Sequence, residues 1–413
     1  MKRYVIVGGG PAGINAAVTI RSKDPDGSLL VLDRDRDRPY YRTELDTYIG
    51  GSTPEADMPL NPDSFYQEQR IHVRSQTVVS RLRLADRALD LSDGATVDYD
   101  ALLLAPGSRP LAGSWPGAEL SGVMTVRTWE DAREVVTRVA ETDRMVVVVG
   151  GGVLGLILAE GIHQRGKQVV LLERERVLWT PFLDKDASGL VLKKMHDVGV
   201  EVLLGQQVVE SYGENGQVIG IRTSGGQRVE TALVVVAIGV RPDIGFLEDS
   251  GVRTDRGILI DHEFRTNVQD VFAAGDAAQG YDPVSGFFRL VTNWNNAAEQ
   301  GRLAGASMAG ATAPYRGVLV SNSESFFGLR VSVMGLAHPT GKNTVIVTGR
   351  DEAKGLYRRL LIREDRLLGA ILAGNVSGEG MMKKTILDGK SLTVEDAKSK
   401  FLTGLVIEES VAS

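Results

Sequence analysis

Two glycine clusters, each followed at a distance by one acid, are the residues of this chain best suited to chemistry. Gly8-x-Gly10-x-x-Gly13 lies between an apolar run, Tyr4–Val7, and a helical pattern, and Asp33 follows Gly8 by 25 residues. Glycines let the backbone approach a pyrophosphate, and the N-terminus of the next helix offers free N–H groups and a partial positive charge. A carboxylate at this spacing can bind a ribose 2′-hydroxyl. The pattern therefore predicts a dinucleotide-binding site.

The same motif returns in the middle of the chain. Gly150, Gly152 and Gly155 repeat the spacing of the first cluster, 142 residues further on. An apolar run again precedes the glycines, and a helical pattern follows them. We therefore predict a second dinucleotide site, and two such sites in one chain indicate a bound redox cofactor and a diffusing one.

The acid that follows the second motif bears on which nucleotide binds there. Glu173 occupies the position that Asp33 has in the first unit. Its carboxylate favours NADH, because it would repel the 2′-phosphate of NADPH. Arg174 and Arg176 come directly afterwards, and they could either bind that phosphate or remain solvated loop residues.

The composition excludes several other kinds of site. The 413 residues include no cysteine, so this chain has no redox disulfide, thiolate nucleophile or cysteine-ligated metal site. The five histidines lack the spacing of metal ligands, and we expect no metal. A mild net charge of −6 argues against binding to nucleic acid or to an anionic membrane. No stretch approaches the ~20 apolar residues of a membrane span, so we expect a cytoplasmic protein.

The elements around the two motifs repeat in the same order. Each motif lies in a strand–helix–strand unit, which a short antiparallel meander and a buried strand with a glycine turn follow. The two closing segments, 92–110 and 224–242, both end in Arg-Pro. The chain then returns to a strand with a Gly-Asp turn and to a helix over 295–308. This duplication predicts an α/β protein with two Rossmann-like domains.

The end of the chain has a different pattern. Alternating strands begin near residue 315, with one helix near 379–387, and predict a small separate α+β domain. The last residues, 408–413, are polar, and we expect them to be frayed. The predicted domains are residues 1–112 together with 243–314, residues 113–242, and residues 315–413.

In this order, the motifs resemble the FAD-dependent pyridine nucleotide–disulfide oxidoreductase superfamily. The resemblance is greatest to the branch without the disulfide, which includes NAD(P)H–rubredoxin and ferredoxin reductases and the flavin portion of nitrite reductases. The segment RPYYRTEL, 38–45, is similar to a family segment whose arginine lies beside the FAD, and Arg42 has that position. The segment TNVQDVFAAGDAA, 266–278, implies that Asp276 hydrogen-bonds the ribityl or phosphate portion. The same carboxylate could also cap a helix.

A further segment, TNWNNAAEQG at 292–301, is similar to the one whose helix N-terminus faces the flavin ring. A helix N-terminus stabilises negative charge on a reduced flavin. The resemblance implies that Trp294 and Asn295 are near neighbours of the ring, although Trp294 could also be a packed core aromatic.

The resemblance implies two glutathione-reductase-type Rossmann-like domains, one for FAD and one for NAD(P)H as diffusing co-substrate, plus the C-terminal α+β domain. It implies no acid, base or nucleophile among the side chains. The residues expected at the FAD are Gly8, Gly10, Pro11, Ala12, Gly13, Asp33, Arg34, Arg42, Val79, Ala105, Gly107, Gly275, Asp276, Trp294 and Asn295. The residues expected at NAD(P)H are Gly150, Gly152, Leu154, Gly155, Glu173 and Gly239.

The chain departs from the family pattern at three places. Ile157 stands where the family favours a glutamate that helps to seat the nicotinamide. The segment Thr43–Asp46 lacks the lysine that pairs with this glutamate in related reductases. Pro106 replaces a threonine in the turn before Gly107, so one side-chain hydrogen bond is lost.

Two functional hypotheses follow. In the first, the chain is an NAD(P)H-dependent flavoprotein reductase whose electrons leave to an external rubredoxin or ferredoxin, since no cysteine can receive them. In the second, motivated by Ile157, the NAD site does not function and the chain is a relay or regulatory subunit of a larger reductase. Basic pairs at 358–359 and 383–384 could dock an acidic acceptor or could simply be solvated, and the C-terminal domain could form a homodimer.

Overall fold

The computed structural model describes residues 1–312, 314–340 and 342–412. These residues contain nine α-helices and five short 3₁₀ helices. The α-helices are α1 (Pro11–Lys23), α2 (Leu45–Gly50), α3 (Asp63–Glu68), α4 (Trp129–Glu141), α5 (Val153–Gln164), α6 (Lys185–Asp197), α7 (Trp294–Met308), α8 (Glu379–Asp388) and α9 (Val394–Phe401). The 3₁₀ helices are Arg42–Glu44, Glu55–Asp57, Gly245–Leu247, Gly275–Ala277 and Glu352–Lys354.

A parallel five-stranded sheet carries the first glycine motif. Its central strands are short and almost wholly apolar, as expected for strands covered on both faces. Helices α1 and α7 pack closely together, and a Cβ on Gly301 would lie 2.0 Å from Ala12 O. The strands in spatial order are Val271–Ala273, Ala101–Leu104, Arg3–Val7, Ser28–Leu32 and Ile71–Arg74.

A second parallel five-stranded sheet carries the second motif. Its central strand Val146–Val149 consists of four valines, three of which are fully buried. Helix α5 begins after the three glycines that follow this strand, as α1 does after its counterpart. The strands in spatial order are Glu201–Leu204, Val169–Glu173, Val146–Val149, Val234–Val236 and Val123–Thr125.

Each unit has the antiparallel meander that the sequence predicts. The predicted segments were residues 78–91 and 208–221, and both meanders extend further, to residues 98 and 230, because a third strand joins each. The two Arg-Pro segments pair with each other, so that Arg109 lies opposite Arg241. The strands are Val79–Arg83, Ala88–Leu91 and Thr96–Asp98; Val208–Glu214, Gln217–Thr223 and Arg228–Glu230; and the linking pair Ser108–Pro110 and Val240–Pro242. A further small sheet contains Ile258–Leu259, Ala278–Asp282 and Phe287–Arg289.

The C-terminal part is a six-stranded antiparallel sheet with α8 and α9 beside it. Its strands in order are Ser321–Phe326, Leu329–Gly335, Arg366–Ala373, Leu356–Arg363, Val345–Asp351 and Val406–Val411. The expectation of a frayed end is wrong up to residue 411, because the last strand pairs with Val345–Asp351 along its length. Polar side chains are compatible with this edge strand, since all six residues are exposed and the backbone supplies the bonds.

The structure confirms the predicted fold class, with two Rossmann-like α/β units and a C-terminal α+β domain. The first sheet includes the strand Val271–Ala273, which comes after all strands of the second sheet in the sequence. The first unit is therefore built from two separate segments of the chain. The domain boundaries at 112, 242 and 314 stay a prediction. Among the residues that the structure describes, no helix is long and apolar enough to cross a membrane.

Candidate active site

A cavity of about 2040 Å³ is lined by the carboxyl ends of both parallel sheets and by the C-terminal sheet. Val7 and Leu32 line it from the first sheet, and Val149 and Leu172 line it from the second. The crevice at the carboxyl ends of parallel strands is where open α/β sheets bind ligands. Pockets for one small molecule reach about 1,000 Å³. The volume therefore has room for two extended ligands.

The first glycine turn requires glycine for three different reasons. Gly8 has φ +107°, and a Cβ there would lie 2.0 Å from Ala105 O. A Cβ on Gly13 would lie 1.9 Å from Gly8 O, so this glycine lets α1 approach the turn. A Cβ on Gly10 would meet no protein atom within 4 Å, and Gly10 lines the cavity. The space beside Gly10 fits a phosphate group, which the N–H groups at the start of α1 would bind.

Asp33 lies below this turn at the end of its strand. Its side chain is buried, and a Cβ on Gly9 would lie 2.1 Å from its Oδ2. Burial raises the pKa of Asp33 to about 6, and the neighbouring charge of Asp35 adds to the increase. A carboxylate in such a site gains from a hydroxyl donor, so Asp33 fits the ribose contact that the sequence predicts.

The second glycine turn reproduces the first. Gly150 has φ +112°, and a Cβ there would lie 2.4 Å from Ala237 O. A Cβ on Gly155 would lie 1.8 Å from Gly150 O, while Gly152 faces open space in the cavity. The N-terminus of α5 is thus open to a second phosphate group.

Glu173 is held in a fixed position beside this turn. Its Oε2 accepts a hydrogen bond from Gly151 N at 2.5 Å, and its Oε1 accepts one from Glu175 N at 2.8 Å. Arg174 forms an ion pair with Glu175 and is exposed. The carboxylate is therefore held beside the turn, in a position from which it would repel a 2′-phosphate.

Arg42 is the centre of a polar cluster on the first unit's side of the cavity. Its guanidinium donates to Asp35 Oδ2 at 2.5 Å, to Tyr40 Oη at 2.7 Å and to Arg127 O at 2.9 Å. Tyr40 in turn donates to Asp35 Oδ2 at 2.9 Å. This network fixes a permanent cation in the cavity wall, suited to an anionic or electron-rich group.

Asp276 lies within the 3₁₀ helix Gly275–Ala277 and lines the cavity, so it does not cap a helix. Its Oδ2 accepts hydrogen bonds from Ser108 Oγ at 2.9 Å and from Arg127 Nη2 at 3.2 Å. Burial lowers the pKa of Arg127, and the nearby charge of Arg42 lowers it further. Asp276 still has a free oxygen, Oδ1, with which to accept a ligand hydroxyl.

The N-terminus of α7 opens into the same cavity. Asn293 caps the helix by accepting a hydrogen bond from Asn296 N at 2.8 Å, so the helix begins one residue before the predicted start. Trp294 and Asn295 occupy the first turn and line the cavity. Trp294 packs against Tyr41 with ring centroids 5.9 Å apart and is only partly buried, so it is not a core aromatic.

The cavity brings together nearly all of the predicted site residues. Gly13 and Gly155 do not line it, because each packs a helix against its turn from behind. Arg34 lines it but forms an ion pair with Asp243, so its charge is already engaged. The other predicted residues at the cavity wall are Gly8, Gly10, Pro11, Ala12, Asp33, Arg42, Val79, Ala105, Gly107, Gly275, Asp276, Trp294, Asn295, Gly150, Gly152, Leu154, Glu173 and Gly239.

The departures from the family pattern also lie at this wall. Ile157 and Asp46 both line the cavity. Ile157 is half-buried and packs against the apolar core of the second unit. Burial raises the pKa of Asp46 to about 6 despite hydrogen bonds from the backbone, while the charges of Glu44 and Glu160 add to the increase. This part of the cavity wall therefore carries an apolar side chain and a carboxyl group.

Sequence reasoning missed three groups of cavity residues. Ser108 follows Gly107 in the closing segment 92–110, and its small hydroxyl was the available signal. Arg127 directly precedes the capping box of α4 but carries no motif of its own. Other missed residues come from the loop 179–182 and from the C-terminal sheet, for which no local pattern indicates a site.

Family models match both parts of the chain. Residues 2–301 match the model described as pyridine nucleotide-disulphide oxidoreductase, and residues 321–390 match the one described as rubredoxin NAD⁺ reductase C-terminal domain. The chain is similar over 399 residues to the protein named "NADH-dependent phenylglyoxylate dehydrogenase subunit epsilon" of Aromatoleum evansii. The identity is 30%, and the match covers 95% of this chain and 93% of the relative.

Two further proteins have similar length and organisation. The "probable ferredoxin reductase CtmF" of Castellaniella defragrans is 31% identical over 401 residues, with coverage of 95% of this chain and 96% of the relative. The solved structure of the ferredoxin reductase for the CYP199A2 system of Rhodopseudomonas palustris superposes with a TM-score of 0.88. It is 24% identical, and the match covers 98% of this chain and 100% of that one, which supports the fold.

These matches confirm the resemblance inferred from the motifs and the assignment to flavoprotein oxidoreductases. They also confirm FAD and NAD(P)H as the cofactors, and the turns beside Gly10 and Gly152 fit two dinucleotides. The chain is an NAD(P)H-dependent flavoprotein and belongs to the pyridine nucleotide-disulphide oxidoreductase family.

Proposed function

We propose that this chain oxidises NADH and delivers the electrons singly to a small iron-containing carrier protein of the rubredoxin or ferredoxin type. The observation that carries the proposal is the shared cavity, into which the turns at Gly10 and Gly152 both open without a protein atom in the way. Two dinucleotides bound at these turns would extend towards each other. Their reactive ends would then meet at the wall formed by Ile157 and Trp294.

The first turn would hold FAD. Asp33 would accept the ribose hydroxyl, Asp276 would accept a hydroxyl of the ribityl chain, and the N-terminus of α7 would face the flavin ring. FAD supplies the hydride acceptor and the conversion from two-electron to one-electron transfer. The role of the protein is orientation and electrostatics: Arg42 and the start of α7 place positive potential where reduction adds negative charge.

The second turn would hold NADH. Glu173 supports NADH over NADPH, because its carboxylate is fixed by two backbone N–H groups at the adenosine end. Leu154 and Gly239 line the path from this end towards the first unit. Ile157 leaves the nicotinamide without the usual ionic contact, so shape rather than charge would seat it there.

The acceptor is external, because the chain has no cysteine. Relatives of this chain carry names that include rubredoxin–NAD⁺ reductase and ferredoxin reductase. We extend that activity to this chain as a proposal, together with a cytoplasmic location and a homodimer through the C-terminal domain. Sedimentation of the purified protein would test the dimer.

Anaerobic titration tests the proposed function directly. The FAD-loaded protein is mixed with NADH or, separately, with NADPH, and bleaching of the flavin absorbance is followed. Stoichiometric bleaching by NADH within seconds, with slower reduction by NADPH, is the expected result. If neither nucleotide bleaches the flavin while dithionite does, the chain is not an NAD(P)H-dependent reductase.

The relative from Aromatoleum evansii favours a second candidate, an NADH-oxidising subunit of a larger dehydrogenase. That protein is named as one subunit of an NADH-dependent enzyme, and this chain matches 93% of its length. In this case the electrons would pass to or from a partner subunit. Co-purification of the tagged chain at its native expression level distinguishes the two, since a stable partner subunit would appear in stoichiometric amount.

A further inference from the structure

One wall of the cavity is formed by the loop between the strand that bears Glu173 and helix α6. Trp179, Thr180, Pro181 and Phe182 all line the cavity. We call these four residues the wall loop. The wall loop has no glycine motif and no charged residue, so its role is inferred from the contacts at its two ends.

The first end of the wall loop is bonded to the second glycine turn. Trp179 N donates a hydrogen bond to Gly151 O at 2.8 Å. The preceding residue, Leu178, is fully buried, and its side chain would lie 2.7 Å from a Cβ on Gly151. This end therefore lies against the turn that would bind the pyrophosphate of NADH.

The other end reaches the first unit. Phe182 packs against the apolar cluster of Val291, Val318 and Val320. Val291 lies two residues before Asn293, which caps α7. The wall loop thus runs from the proposed NADH pyrophosphate site to the helix end that would face the flavin ring, and this is the path that the nicotinamide must take.

The backbone of the wall loop is not relaxed. Trp179 has φ +48°, a left-handed conformation that is unfavourable for a bulky side chain, and the residue is only 4% exposed. Its ring contacts Phe326, at a centroid distance of 5.8 Å, and Phe182, at 5.2 Å. Such a conformation persists only where surrounding contacts hold it.

Those contacts come from the C-terminal sheet and from the segment that follows its strand Leu329–Gly335. Asp184, two residues after the wall loop, accepts hydrogen bonds on Oδ2 from the Tyr357 hydroxyl and from Arg359 Nη1, the latter at 2.8 Å. Its Oδ1 accepts from Ala187 N at 3.0 Å and so caps α6. His338 Nε2 lies 2.7 Å from Thr180 O and donates to it. The segment after the strand Leu329–Gly335 therefore holds the wall loop at Thr180, and the sheet itself holds it just beyond its last residue.

We propose that Asp184, Tyr357, Arg359 and His338 are positioning residues for the nicotinamide, acting through the wall loop. The inference rests on the proposed function and deepens it: the C-terminal domain sets NADH affinity as well as any contact with the acceptor. None of these four side chains needs to touch the nucleotide. A relaxed wall loop would leave the pyrophosphate turn intact but would no longer confine the nicotinamide ring.

The test uses variants of exposed or conservatively changed residues in the FAD-loaded protein. His338→Ala removes an exposed side chain and one hydrogen bond, and Tyr357→Phe removes a single hydroxyl. Each bond holds the wall loop in place before the nucleotide binds, and the loss of one hydrogen bond costs about 0.5–1.5 kcal/mol, so we expect the Kd for NADH to rise by up to about tenfold. We also expect the limiting rate of flavin reduction to fall, while FAD content stays at the wild-type level. His338→Gln keeps an N–H donor and is expected to restore the Kd.

A matched control lies on the same interface. Arg350→Gln breaks the ion pair with Asp186, which joins the sheet to α6, and the ion pair with Glu408 inside the sheet. Arg350 also lies over the ring of Tyr357, 5.9 Å from its centroid, but the change leaves the hydrogen bond from the Tyr357 hydroxyl to Asp184 in place. We expect its Kd for NADH to stay within twofold of the wild type. Binding of NAD⁺, measured by calorimetry, gives the same comparison without turnover.

The outcomes separate this inference from the proposed function. If NADH reduces the wild-type flavin but His338→Ala and Tyr357→Phe bind NADH and NAD⁺ as tightly as the wild type, the positioning role is wrong. An Arg350→Gln variant that weakens binding equally would also overturn it, because the effect would then belong to the whole interface. If NADH does not reduce the wild-type flavin, it is the proposed function that fails.

Discussion

Ser108 Oγ donates a hydrogen bond to Asp276 Oδ2 at 2.9 Å, although 168 residues separate the two side chains. Ser108 begins the strand that links the first unit to the second, and Asp276 lies where the chain has returned to the first unit. Arg127 donates to the same oxygen from a third segment. Three segments that lie far apart in the sequence therefore meet at one carboxylate in the cavity wall.

This arrangement predicts a specific defect for Asp276→Asn. The substitution removes the charge that pairs with Arg127 and the best acceptor for a ribityl hydroxyl. A hydrogen bond to a charged group contributes about 1.5–3 kcal/mol, so the Kd for FAD should rise roughly 10- to 100-fold. Release of fluorescent FAD on dilution measures it. Asp261→Asn is the control, because Asp261 bonds only to backbone N–H groups of a surface turn. Equal retention of FAD by both variants would contradict the assignment.

Gly152→Ala should separate nucleotide binding from folding. A Cβ at this position meets no protein atom within 4 Å, and Gly152 adopts an extended conformation that alanine accepts. The methyl group would instead occupy the approach of the NADH pyrophosphate, and we expect the Kd for NADH to rise at least about tenfold. FAD content should not change. Flavin reduction at increasing NADH concentration measures the effect, and wild-type affinity would show that the phosphate lies elsewhere.

Gly189→Ala serves as the companion variant. Gly189 lies on the exposed face of α6 and also has open space at its Cβ. Alanine inside a helix is favoured by about 0.5–1 kcal/mol, so the free energy of unfolding should rise slightly while NADH binding is unaffected. The pair thus compares the same chemical change inside and outside the cavity.

Glu173→Gln should weaken the preference for NADH. The amide keeps one acceptor for Gly151 N but no longer repels a 2′-phosphate. We expect the ratio of kcat/KM for NADPH to that for NADH to rise on the order of tenfold or more, equivalent to about 1.4 kcal/mol. Steady-state assays with both nucleotides measure the ratio. Glu201→Gln, an exposed change on the same sheet and outside the cavity, is expected to leave it unchanged, and an unchanged ratio in both variants would remove Glu173 from nucleotide selection.

The raised pKa of Asp33 predicts a pH dependence of stability. Burial raises this pKa from 3.8 to about 6, so the folded FAD-free protein binds more protons than the unfolded chain between these values. The contribution of Asp33 to the free energy of unfolding is therefore greatest below about pH 4 and falls as pH rises to about 6. The expected change is about 1–3 kcal/mol. Urea unfolding of the wild type and of Asp33→Asn at pH 4.5 and pH 7 should show it, and parallel pH profiles would contradict it.

Much of the site was accessible from local sequence. The two glycine turns were predicted because the conformation of Gly8 and Gly150 and the space beside Gly10 and Gly152 are properties of a few consecutive residues. The fold class followed from the same duplication. The polar last strand was not predicted, because its partner strand, Val345–Asp351, supplies the hydrogen bonds that its own side chains do not indicate.

The wall loop shows the limit of local patterns. Its residues, Trp179–Phe182, are ordinary core and turn types in the sequence. Their place in the cavity depends on hydrogen bonds from His338, and from Tyr357 and Arg359 to Asp184, all more than 150 residues away. No periodicity or spacing encodes such a contact, because it arises only when the C-terminal sheet packs against the second unit.

The sequence by itself determined that this chain has two dinucleotide turns, an acid after each and no thiol to receive electrons. These are consequences of backbone sterics and of residue chemistry, which act over short distances along the chain. Tertiary structure decided that both turns open into one cavity, that Asp276 meets Ser108 and Arg127, and that the C-terminal sheet fixes the wall beside the second turn. These relationships depend on how the units pack, since packing brings together groups that lie far apart in sequence.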